Sequence, residues 1–283
     1  MKIAHLILAH SEPGQLARLI RALEHPDAYF FLHIDAKASL DPFRFLAARE
    51  RVFLLNERVK VGWGAYSIVQ ATINGFRAIA ASDLSIDYVN LLSGSDYPLK
   101  YPDEIHRFFQ EHQPDNFMQY ELVMEDWKEA IPRLTEYHLT NYAFPGKYMV
   151  QKWMNKLLPA RQVPDHLVPV GRSQWMSLTM DAVRFILQYL DSHPRFVNFF
   201  KHTWAPDELV FQTILYNSDF RAKMVNDNLR YIRWLEGKAS PEILTETDLT
   251  KLLNSGAIFA RKFDVLSSSG LLDQLDKKIL NHT

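Results

Sequence analysis

Apolar runs and helical repeats alternate along the first 120 residues of the chain. Four short apolar runs, at residues 3–8, 29–34, 52–55 and 88–92, are typical of buried strands. Between them, apolar residues recur at helical spacing, first at Leu16, Leu19, Ile20 and Leu23 and later at Ile68, Ala71, Ile73, Phe76 and Ala80. Strands separated by helices in this way are typical of βαβ units. The pattern predicts an α/β fold with a mostly parallel central sheet flanked by helices.

Three loops follow predicted strands, at residues 9–14, 35–39 and 93–98. Ligands of such sheets bind beyond the carboxyl ends of the strands, so these loops are the first candidates for a site. Asp35 could hydrogen-bond a ribose or a base, or it could cap the turn that ends its strand. Asp96 lies in a loop of small residues that admits a ligand close to the backbone, or that forms a tight turn around its carboxylate. The residues alone leave both alternatives open.

The pattern is less regular between residues 122 and 170. This region is rich in aromatic residues, which are Trp127, Tyr137, Tyr142, Tyr148 and Trp153. We interpret it as a lid or as a platform for an acceptor. Regular structure is predicted again as a strand at 175–178 and as helices at 180–190 and 206–216.

Composition narrows the function classes. The 283 residues are 47% hydrophobic and 23% charged, which excludes a disordered chain. The net charge of −1 argues against a nucleic-acid partner. Because there is no cysteine, thiol nucleophiles, iron–sulfur clusters and Cys-zinc sites are excluded. No stretch approaches the ~20 apolar residues of a membrane span. We therefore expect a soluble, cytoplasmic protein whose 13% aromatic content leaves room for peripheral contact with the inner face of a membrane.

Familiar nucleotide and hydrolase motifs are missing. The sequence has no G-x-x-x-x-G-K-S/T and no G-x-G-x-x-G, which disfavours P-loop enzymes and dinucleotide oxidoreductases. It also has no H-E-x-x-H zinc motif and no G-x-S-x-G elbow. The chemistry must therefore be sought in less specific clusters of charged residues.

Two such clusters stand out in the second half. Pro206, Asp207 and Glu208 follow one another, and both acids have a complete structural explanation at the positive end of a helix. Arg261 and Lys262 lie between two phenylalanines and could form a solvated surface pair. Neighbours in a strand face opposite sides, so both cations would reach one ligand only from a turn or a helix.

Taken in order, seven segments resemble one family. They are Leu8-Ala9-His10, His33-Ile34-Asp35-Ala36-Lys37, Trp63-Gly64-Ala65 with residues 67–71, residues 87–98, Trp204-Ala205-Pro206-Asp207-Glu208, Asp227-Asn228-Leu229-Arg230, and Phe259-Ala260-Arg261-Lys262-Phe263-Asp264. Together they resemble glycosyltransferase family 14, the core-2/I-branching β-1,6-N-acetylglucosaminyltransferases and the related peptide O-xylosyltransferases. The resemblance extends from about residue 3 to residue 265 and is weakest at 122–170.

The resemblance implies a GT-A-like fold that binds a UDP-sugar and transfers the sugar with inversion, without a metal cofactor. GT-A enzymes usually hold a divalent ion with an Asp-x-Asp motif; the family lacks this motif, and so does this sequence. Basic side chains at Arg261 and Lys262 would then bind the diphosphate. We expect one domain over residues 1–283, with a nucleotide-binding half at about 1–120 and an acceptor and catalytic half at about 121–283.

The resemblance also assigns roles to single residues. Glu208 falls at the position of the catalytic base. Ala9, His10, Asp35 and Trp63, together with Arg261 and Lys262, fall at the UDP site. Asp96, Trp234 and Glu125 fall at positions that contact the sugar or the acceptor.

The substrates stay open at this stage. The absence of cysteine and of an anchor resembles bacterial members, which would act on lipid-linked or other cell-surface glycan precursors. UDP-N-acetylglucosamine is the donor that the family favours, and UDP-xylose is the alternative because the segments around Arg230 and Arg261 resemble the xylosyltransferase branch. A catalytically inactive glycan- or nucleotide-binding protein is a second hypothesis. A metal-dependent nucleotidyltransferase is a third, which the lack of paired aspartates disfavours.

Overall fold

Two sheets of unequal size organise this computed structural model, which describes residues 1–235, 237 and 240–280. The strands in this part of the chain are β1 (Ile3–Ala9), β2 (Ala28–Ile34), β3 (Val52–Leu54), β4 (Tyr88–Ser93), β5 (Tyr97–Pro98), β6 (Asn116–Leu122), β7 (Val170–Thr179), β8 (Met224–Val225), β9 (Arg230–Ile232) and β10 (Phe259–Arg261). The large sheet has the order β3-β2-β1-β4-β7-β6-β8. Only β7 runs against its neighbours, β4 and β6. This arrangement confirms the predicted α/β class with a mostly parallel central sheet.

Helices cover both faces of the large sheet. In the described residues they are α1 (Pro13–Ala22), α2 (Tyr66–Ala80), α3 (Pro102–Glu111), α4 (Ile131–Thr135), α5 (Lys147–Leu157), α6 (Met180–Ser192), α7 (Pro194–Phe200), α8 (Val210–Tyr216), α9 (Leu249–Asn254) and α10 (Ser269–Leu280). Alternate residues of β1 point to opposite faces of the sheet. Ala4 and Leu6 join one hydrophobic core, and Ile3 and Ile7 join the other. Both cores contain residues from before and after residue 120.

The small sheet brings the C-terminal region to the ends of the large one. Its order is β5-β10-β9, with β10 antiparallel to β5 and parallel to β9. Since β5 follows β4 after only three residues, the small sheet is fixed at the carboxyl end of β4. The backbone N–H of Phe263 also donates to the carbonyl of Ser95 at 2.9 Å. The segment that carries Arg261 and Lys262 is thereby positioned at the ligand-binding edge of the large sheet.

The predicted helix at 206–216 is divided in the structure. A 3-10 turn, Pro206–Glu208, precedes α8, and Leu209 between them has a non-helical backbone with φ −127°. The turn packs directly on β7, where a Cβ at Gly171 would lie 2.0 Å from the carbonyl oxygen of Glu208. A tertiary contact therefore overrides the helical pattern here, and the prediction of one continuous helix was wrong.

The region between 122 and 170 contains regular structure that the sequence pattern does not predict. It carries α4 and α5, joined by a loop that includes Pro145 and Gly146. Across the described residues, no helix is both long enough and apolar enough to cross a lipid bilayer.

Candidate active site

A large cleft opens at the carboxyl ends of β1, β2 and β4. Its volume is about 1140 Å³, slightly above the roughly 300–1,000 Å³ of most small-molecule sites. Both halves of the chain line the cleft, including strands β6, β7, β9 and β10. Eight of the ten predicted site residues are among the lining residues: Ala9, His10, Asp35, Trp63, Glu208, Trp234, Arg261 and Lys262.

The carboxylate of Asp35 is held at the end of β2 by the loop that follows it. It accepts hydrogen bonds from the backbone N–H groups of Lys37 at 2.8 Å and Val61 at 3.4 Å. The guanidinium of Arg58 fixes the same loop by donating to the carbonyls of Ile34 and Asp35, each at 2.8 Å. Asp35 therefore caps its turn and lines the cleft at once, so the two interpretations of this residue are compatible.

A second wall of the cleft is built from two tryptophans. Trp63 is 66% exposed, and its ring centre lies 5.5 Å from that of Trp204 in an edge-to-face arrangement. Gly64 has φ +66°, and a Cβ there would lie 2.8 Å from Nε1 of Trp204. The backbone N–H of Ala205 donates to the carbonyl of Gly64 at 2.9 Å. The turn before α2 is thus docked on the segment that leads into Glu208.

Glu208 faces the cleft as one partner of an ion pair. Its Oε2 accepts from Nη1 of Arg133 at 2.6 Å. The Arg133 guanidinium lies between two indole rings, 4.7 Å from the ring centre of Trp127 and 4.5 Å from that of Trp204. Such stacking restrains the planar guanidinium and adds cation–π attraction. The pair therefore fixes the direction of a carboxylate that is still 29% exposed to the cleft.

Asp207 has a different environment from its neighbour. Its side chain is buried, and in the described part of the chain no donor reaches its Oδ1. Burial, with a further contribution from the charge of Glu208, raises the pKa of Asp207 to about 7. A carboxyl group at the positive end of a helix would be stabilised in its charged form. Asp207 lies in the first turn, as the helix-end explanation requires, but its burial opposes the charged form.

Buried charges support a second part of the cleft lining, which we call the cation side. Nε of Arg261 lies 3.1 Å from Oδ1 of Asp96, and its guanidinium stacks 4.0 Å from the ring centre of Trp175. Arg230 lies beside this pair and donates to the carbonyls of Leu91 at 2.9 Å and Met176 at 3.2 Å. Burial lowers the pKa of Arg230 to about 10, and the charge of Asp96 opposes that change. Asp96 is thus the buried carboxylate that stabilises these largely buried guanidinium groups, both of which line the cleft.

Lys262 and Trp234 complete this side of the cleft. Strand β10 ends at Arg261, so Lys262 lies beyond the alternation of the strand, and both cations line the cleft. Within the residues that the structure describes, no carboxylate lies within 4.0 Å of the Lys262 ammonium, whereas Arg261 has Asp96. Trp234 is 54% exposed and lines the cleft, as Ser240 and Pro241 do.

Comparison with known proteins identifies the family of this fold and cleft. The sequence profile of the Core-2/I-branching enzyme family matches residues 3–253. This chain belongs to that family. It is 28% identical to the β-glucuronosyltransferase GlcAT14A of Arabidopsis thaliana over 99% of this chain and 64% of that protein. It is 23% identical to xylosyltransferase 1 of Rattus norvegicus over 98% of this chain and 35% of that protein.

A third relative is named for the transfer of another sugar, N-acetylglucosamine. The chain is 26% identical to the N-acetyllactosaminide β-1,6-N-acetylglucosaminyl-transferase of Homo sapiens, over 93% of this chain and 68% of that protein. The chain thus spans about two thirds or less of the length of the curated relatives described here. The curated relatives of this family member are named as glycosyltransferases, as the sequence motifs imply.

Solved structures that align with this chain include the core-mannan synthase A of Aspergillus fumigatus, with a TM-score of 0.39 and 10% identity over 79% of this chain and 72% of that one. Mouse xyloside xylosyltransferase 1 has a TM-score of 0.34 and 12% identity over 76% of this chain and 81% of that one. These similarities are distant and say nothing about the roles of single residues in this Core-2/I-branching family member.

Two predicted site residues lie outside the cleft lining. Asp96 is fully buried, where it accepts from the hydroxyl and the backbone N–H of Ser93 and pairs with Arg261. Its carboxylate supports Arg261 from below, which differs from the predicted contact with sugar or acceptor. Glu125 is exposed in the turn after β6, while Glu121 and Glu129 line the cleft.

Several residues of the site escape sequence reasoning. Arg133 and Trp127 lie in the irregular region, where neither spacing nor periodicity marks them. Arg133 meets Glu208 across 75 positions of the chain. Trp175 is part of an apolar strand pattern, which indicates core rather than cleft. Arg230 belongs to a recognised segment, but its burial among backbone carbonyls is visible only in the fold.

No group of three or more His, Cys, Asp or Glu side chains in the described residues is arranged to hold a metal ion. That this family member acts without a metal ion stays a prediction, which an activity measurement in the presence of EDTA tests.

Proposed function

We propose that this chain is an inverting, metal-independent glycosyltransferase that moves a sugar from a UDP-sugar to a hydroxyl of a carbohydrate or lipid-linked acceptor. The observation that supports this most is one cleft in which Glu208, a partly exposed carboxylate held by Arg133, occurs together with the cations Arg261 and Lys262. Asp35 lies in the same cleft at the end of β2, where the uridine half of a donor would be bound. Family membership supports the reaction class.

The proposed step is a single in-line displacement. Glu208 accepts the proton of the acceptor hydroxyl while that oxygen forms its bond to the anomeric carbon. The bond between the anomeric carbon and the diphosphate oxygen breaks, and its electron pair leaves with UDP. Arg133 orients Glu208 through the 2.6 Å contact and leaves the other carboxylate oxygen for the acceptor.

The leaving diphosphate needs positive charge rather than a proton. Lys262, which has no carboxylate partner within 4.0 Å among the described residues, is the cation best able to bind a phosphate oxygen. Arg261 lines the cleft beside it on the support of Asp96 and Trp175. Charge-assisted hydrogen bonds of this kind contribute about 1.5–3 kcal/mol each.

The donor sugar is the finer part of the proposal. The relatives are named for glucuronosyl, xylosyl and N-acetylglucosaminyl transfer. We propose UDP-N-acetylglucosamine first and UDP-xylose as the alternative, with UDP-glucuronic acid added because of the glucuronosyltransferase relatives. No nucleic-acid partner is proposed, since the net charge of the chain is −1.

A donor screen tests the proposal. The purified protein is incubated with each UDP-sugar in the presence and absence of excess EDTA, and released UDP is measured with and without a hydroxyl acceptor. We expect release from one donor, unchanged by EDTA and lost in Glu208→Gln. Glu111→Gln, an exposed acid on α3, is the matched control and should behave like the wild type. UDP binding without release from any donor would favour an inactive binding protein. An absolute requirement for Mn²⁺ would exclude the metal-independent mechanism.

A further inference from the structure

Helix α5 presents an apolar stripe to solvent. Met149, Trp153 and Leu157 follow one another at spacing i, i+4, i+8 and therefore lie on one side of the helix. They are 67%, 53% and 72% exposed. In the helices of globular domains such a stripe normally faces the core. We call these three residues, with Lys152 and Lys156 beside them, the α5 outer face.

The opposite side of α5 is polar and faces the protein. Oδ1 of Asn155 accepts from the backbone N–H of Tyr137 at 2.6 Å, and its amide nitrogen donates to the Tyr137 carbonyl at 3.1 Å. Oε1 of Gln151 accepts from the backbone N–H of Leu139 at 2.9 Å. These bonds fix the rotation of the helix about its axis. The exposure of the apolar stripe is therefore built into the packing of α5.

The charge of this region has one sign. Between residues 137 and 164 there is no Asp or Glu, while Lys147, Lys152, Lys156 and Arg161 are present. Arg161 is buried and bonded to backbone carbonyls, so the three lysines form the outward charge. The Lys156 ammonium lies 5.3 Å from the ring centre of Trp153, so cation and indole are side by side on the α5 outer face.

The combination of these groups indicates what covers the face. Trp, Lys and long apolar side chains on one helix are the composition of segments that lie in the interface of a bilayer. A second copy packed symmetrically on this face would bring lysines against lysines, which is unfavourable. For a carbohydrate, whose hydroxyls both donate and accept hydrogen bonds, the outer face offers ammonium donors but no acceptor side chain. Five of the six tryptophans line the cleft, and Trp153 is the sixth.

We propose that the α5 outer face binds the surface of an anionic phospholipid bilayer. Met149, Trp153 and Leu157 enter the boundary between headgroups and acyl chains, and Lys152 and Lys156 contact the phosphates. The segment 137–139, on which α5 rests, follows α4, and α4 carries the Arg133 that pairs with Glu208. Binding would hold the base side of the cleft close to the membrane. The proposal does not depend on the donor or on catalysis.

Vesicle flotation tests the proposal. The full chain is mixed with vesicles of phosphatidylcholine alone or with about 30% phosphatidylglycerol, and bound protein is measured at low salt and at about 0.5 M NaCl. We expect binding to the anionic vesicles only, weakened by salt. The double variant Lys152→Glu/Lys156→Glu should bind at least roughly tenfold more weakly, because each lysine near the surface contributes severalfold. Lys277→Glu/Lys278→Glu, an exposed pair on α10, should bind like the wild type.

The apolar stripe has its own matched pair of variants. Leu157→Ser should reduce binding severalfold, while Leu266→Ser, at a residue that is 83% exposed elsewhere, should not. Quenching of tryptophan fluorescence by brominated lipid provides a second readout that needs no destabilising change. Quenching is expected in the wild type and should be lost in Trp153→Phe.

Three results would overturn the proposal. They are wild-type protein that does not float with anionic vesicles, loss of binding in the α10 control to the same extent as in the α5 variant, and a concentration-dependent dimer in ultracentrifugation that Leu157→Ser dissociates. The last would assign the α5 outer face to a second copy of the chain. UDP release with a water-soluble acceptor should stay unchanged in all α5 variants, which separates this test from the test of catalysis.

Discussion

The base side and the cation side of the cleft each contain an arginine–carboxylate pair beside tryptophan. The member of the pair that faces the cleft is the carboxylate on the base side and the arginine on the cation side. On the base side, Glu208 faces the cleft and Arg133 stands behind it, stacked between two indoles. On the cation side, Arg261 lines the cleft and Asp96 stands behind it, with Trp175 stacked on the guanidinium. Each of these two pairs therefore combines one carboxylate, one arginine and an aromatic surface. The two sides differ in the charged group that a ligand can contact, which is the Glu208 carboxylate on the base side and the Arg261 guanidinium on the cation side.

Exposure decides the role of each carboxylate. Glu208 is 29% exposed, whereas Asp96 is fully buried. An acid that is partly exposed can accept a proton from a bound hydroxyl, while a fully buried acid can only stabilise the cations beside it. The comparison teaches that an arginine–carboxylate pair alone does not indicate a base, and that its carboxylate must also be exposed to the cleft.

Glu208→Gln tests the base side most directly and should have the largest effect. Gln keeps the shape and removes the proton acceptor, so turnover should fall by roughly 10²–10⁴-fold. UDP affinity, measured by titration calorimetry, should stay nearly unchanged because the nucleotide does not depend on the base. A variant that keeps more than about a tenth of wild-type turnover would show that Glu208 is not the base.

Asp96→Asn tests the support of the cation side. Removing one partner of a buried ion pair leaves Arg261 and Arg230 without their buried carboxylate, which costs about 3–5 kcal/mol in free energy of unfolding. Urea denaturation should show this loss, and UDP affinity should fall with it. Asp191→Asn removes an exposed pair with Arg77 and should cost only about 0–1 kcal/mol. Similar losses in both variants would remove the contrast between buried and exposed pairs.

Lys262→Ala tests whether the unpaired cation binds the diphosphate. UDP affinity should fall by roughly ten- to 150-fold, and the remaining affinity should depend less on salt. Arg261→Lys should weaken UDP binding too, since an ammonium does not reproduce the planar fork or its stacking on Trp175. Lys278→Ala on α10 is the control. Unchanged UDP affinity in Lys262→Ala would contradict this placement of the phosphate site.

Arg133→Lys sharpens the comparison by weakening the orienting group without removing its charge. The lysine cannot stack flat between Trp127 and Trp204, so Glu208 is held less well. We expect kcat to fall by roughly ten- to 100-fold while UDP affinity is unchanged. Arg184→Lys, an exposed arginine on α6, serves as the control. Equal losses of kcat and of UDP affinity would indicate general disruption rather than positioning.

Asp207→Asn should have the smallest effect. The substitution should change how the stability of the folded protein depends on pH. The pKa of Asp207 is raised to about 7 by burial, above its ordinary value. The folded protein therefore retains a proton that the unfolded chain has lost, and stability from this group falls as pH rises toward 7. Asn does not titrate, so the Tm of the variant minus that of the wild type should increase by a few degrees between pH 5 and pH 8.

Buried histidines, whose pKa values are lowered, change stability in the opposite sense, but they are present in both proteins and cancel in this difference. A difference in Tm that does not vary with pH would show that Asp207 is already ionised in the folded state.

Much of the fold can be predicted from the chain. The apolar runs locate β1, β2, β3 and β4 to within about two residues, because a buried parallel strand needs little more than consecutive apolar positions. Asp35 and His10 directly follow two of these strands, so predicting where the strands end also predicts the loops in which these residues lie. The ordered motifs point to Glu208, Arg261 and Lys262, and the structure places all three in one cleft.

The rest depends on contacts between distant segments. Helix 206–216 is broken at Leu209 because its first turn packs on Gly171, 38 positions earlier. The sequence shows α5 as an aromatic and basic segment but does not show which side meets the protein. That orientation is fixed by hydrogen bonds from Gln151 and Asn155 to the backbone of residues 137–139.

The sequence by itself determined the α/β class, because the alternation of strands and helices follows from local pattern. It also carries the ordered motifs whose resemblance to the family points to the acid and the cations of the proposed chemistry. Only the tertiary structure decided that Arg133 stands behind Glu208, that Asp96 is buried beneath Arg261, and that neighbouring acids at 207 and 208 have different environments. The physical reason is that charge, burial and exposure are properties of the space around a side chain. The surroundings of a side chain are formed by segments that are distant in the sequence and meet only in the folded protein.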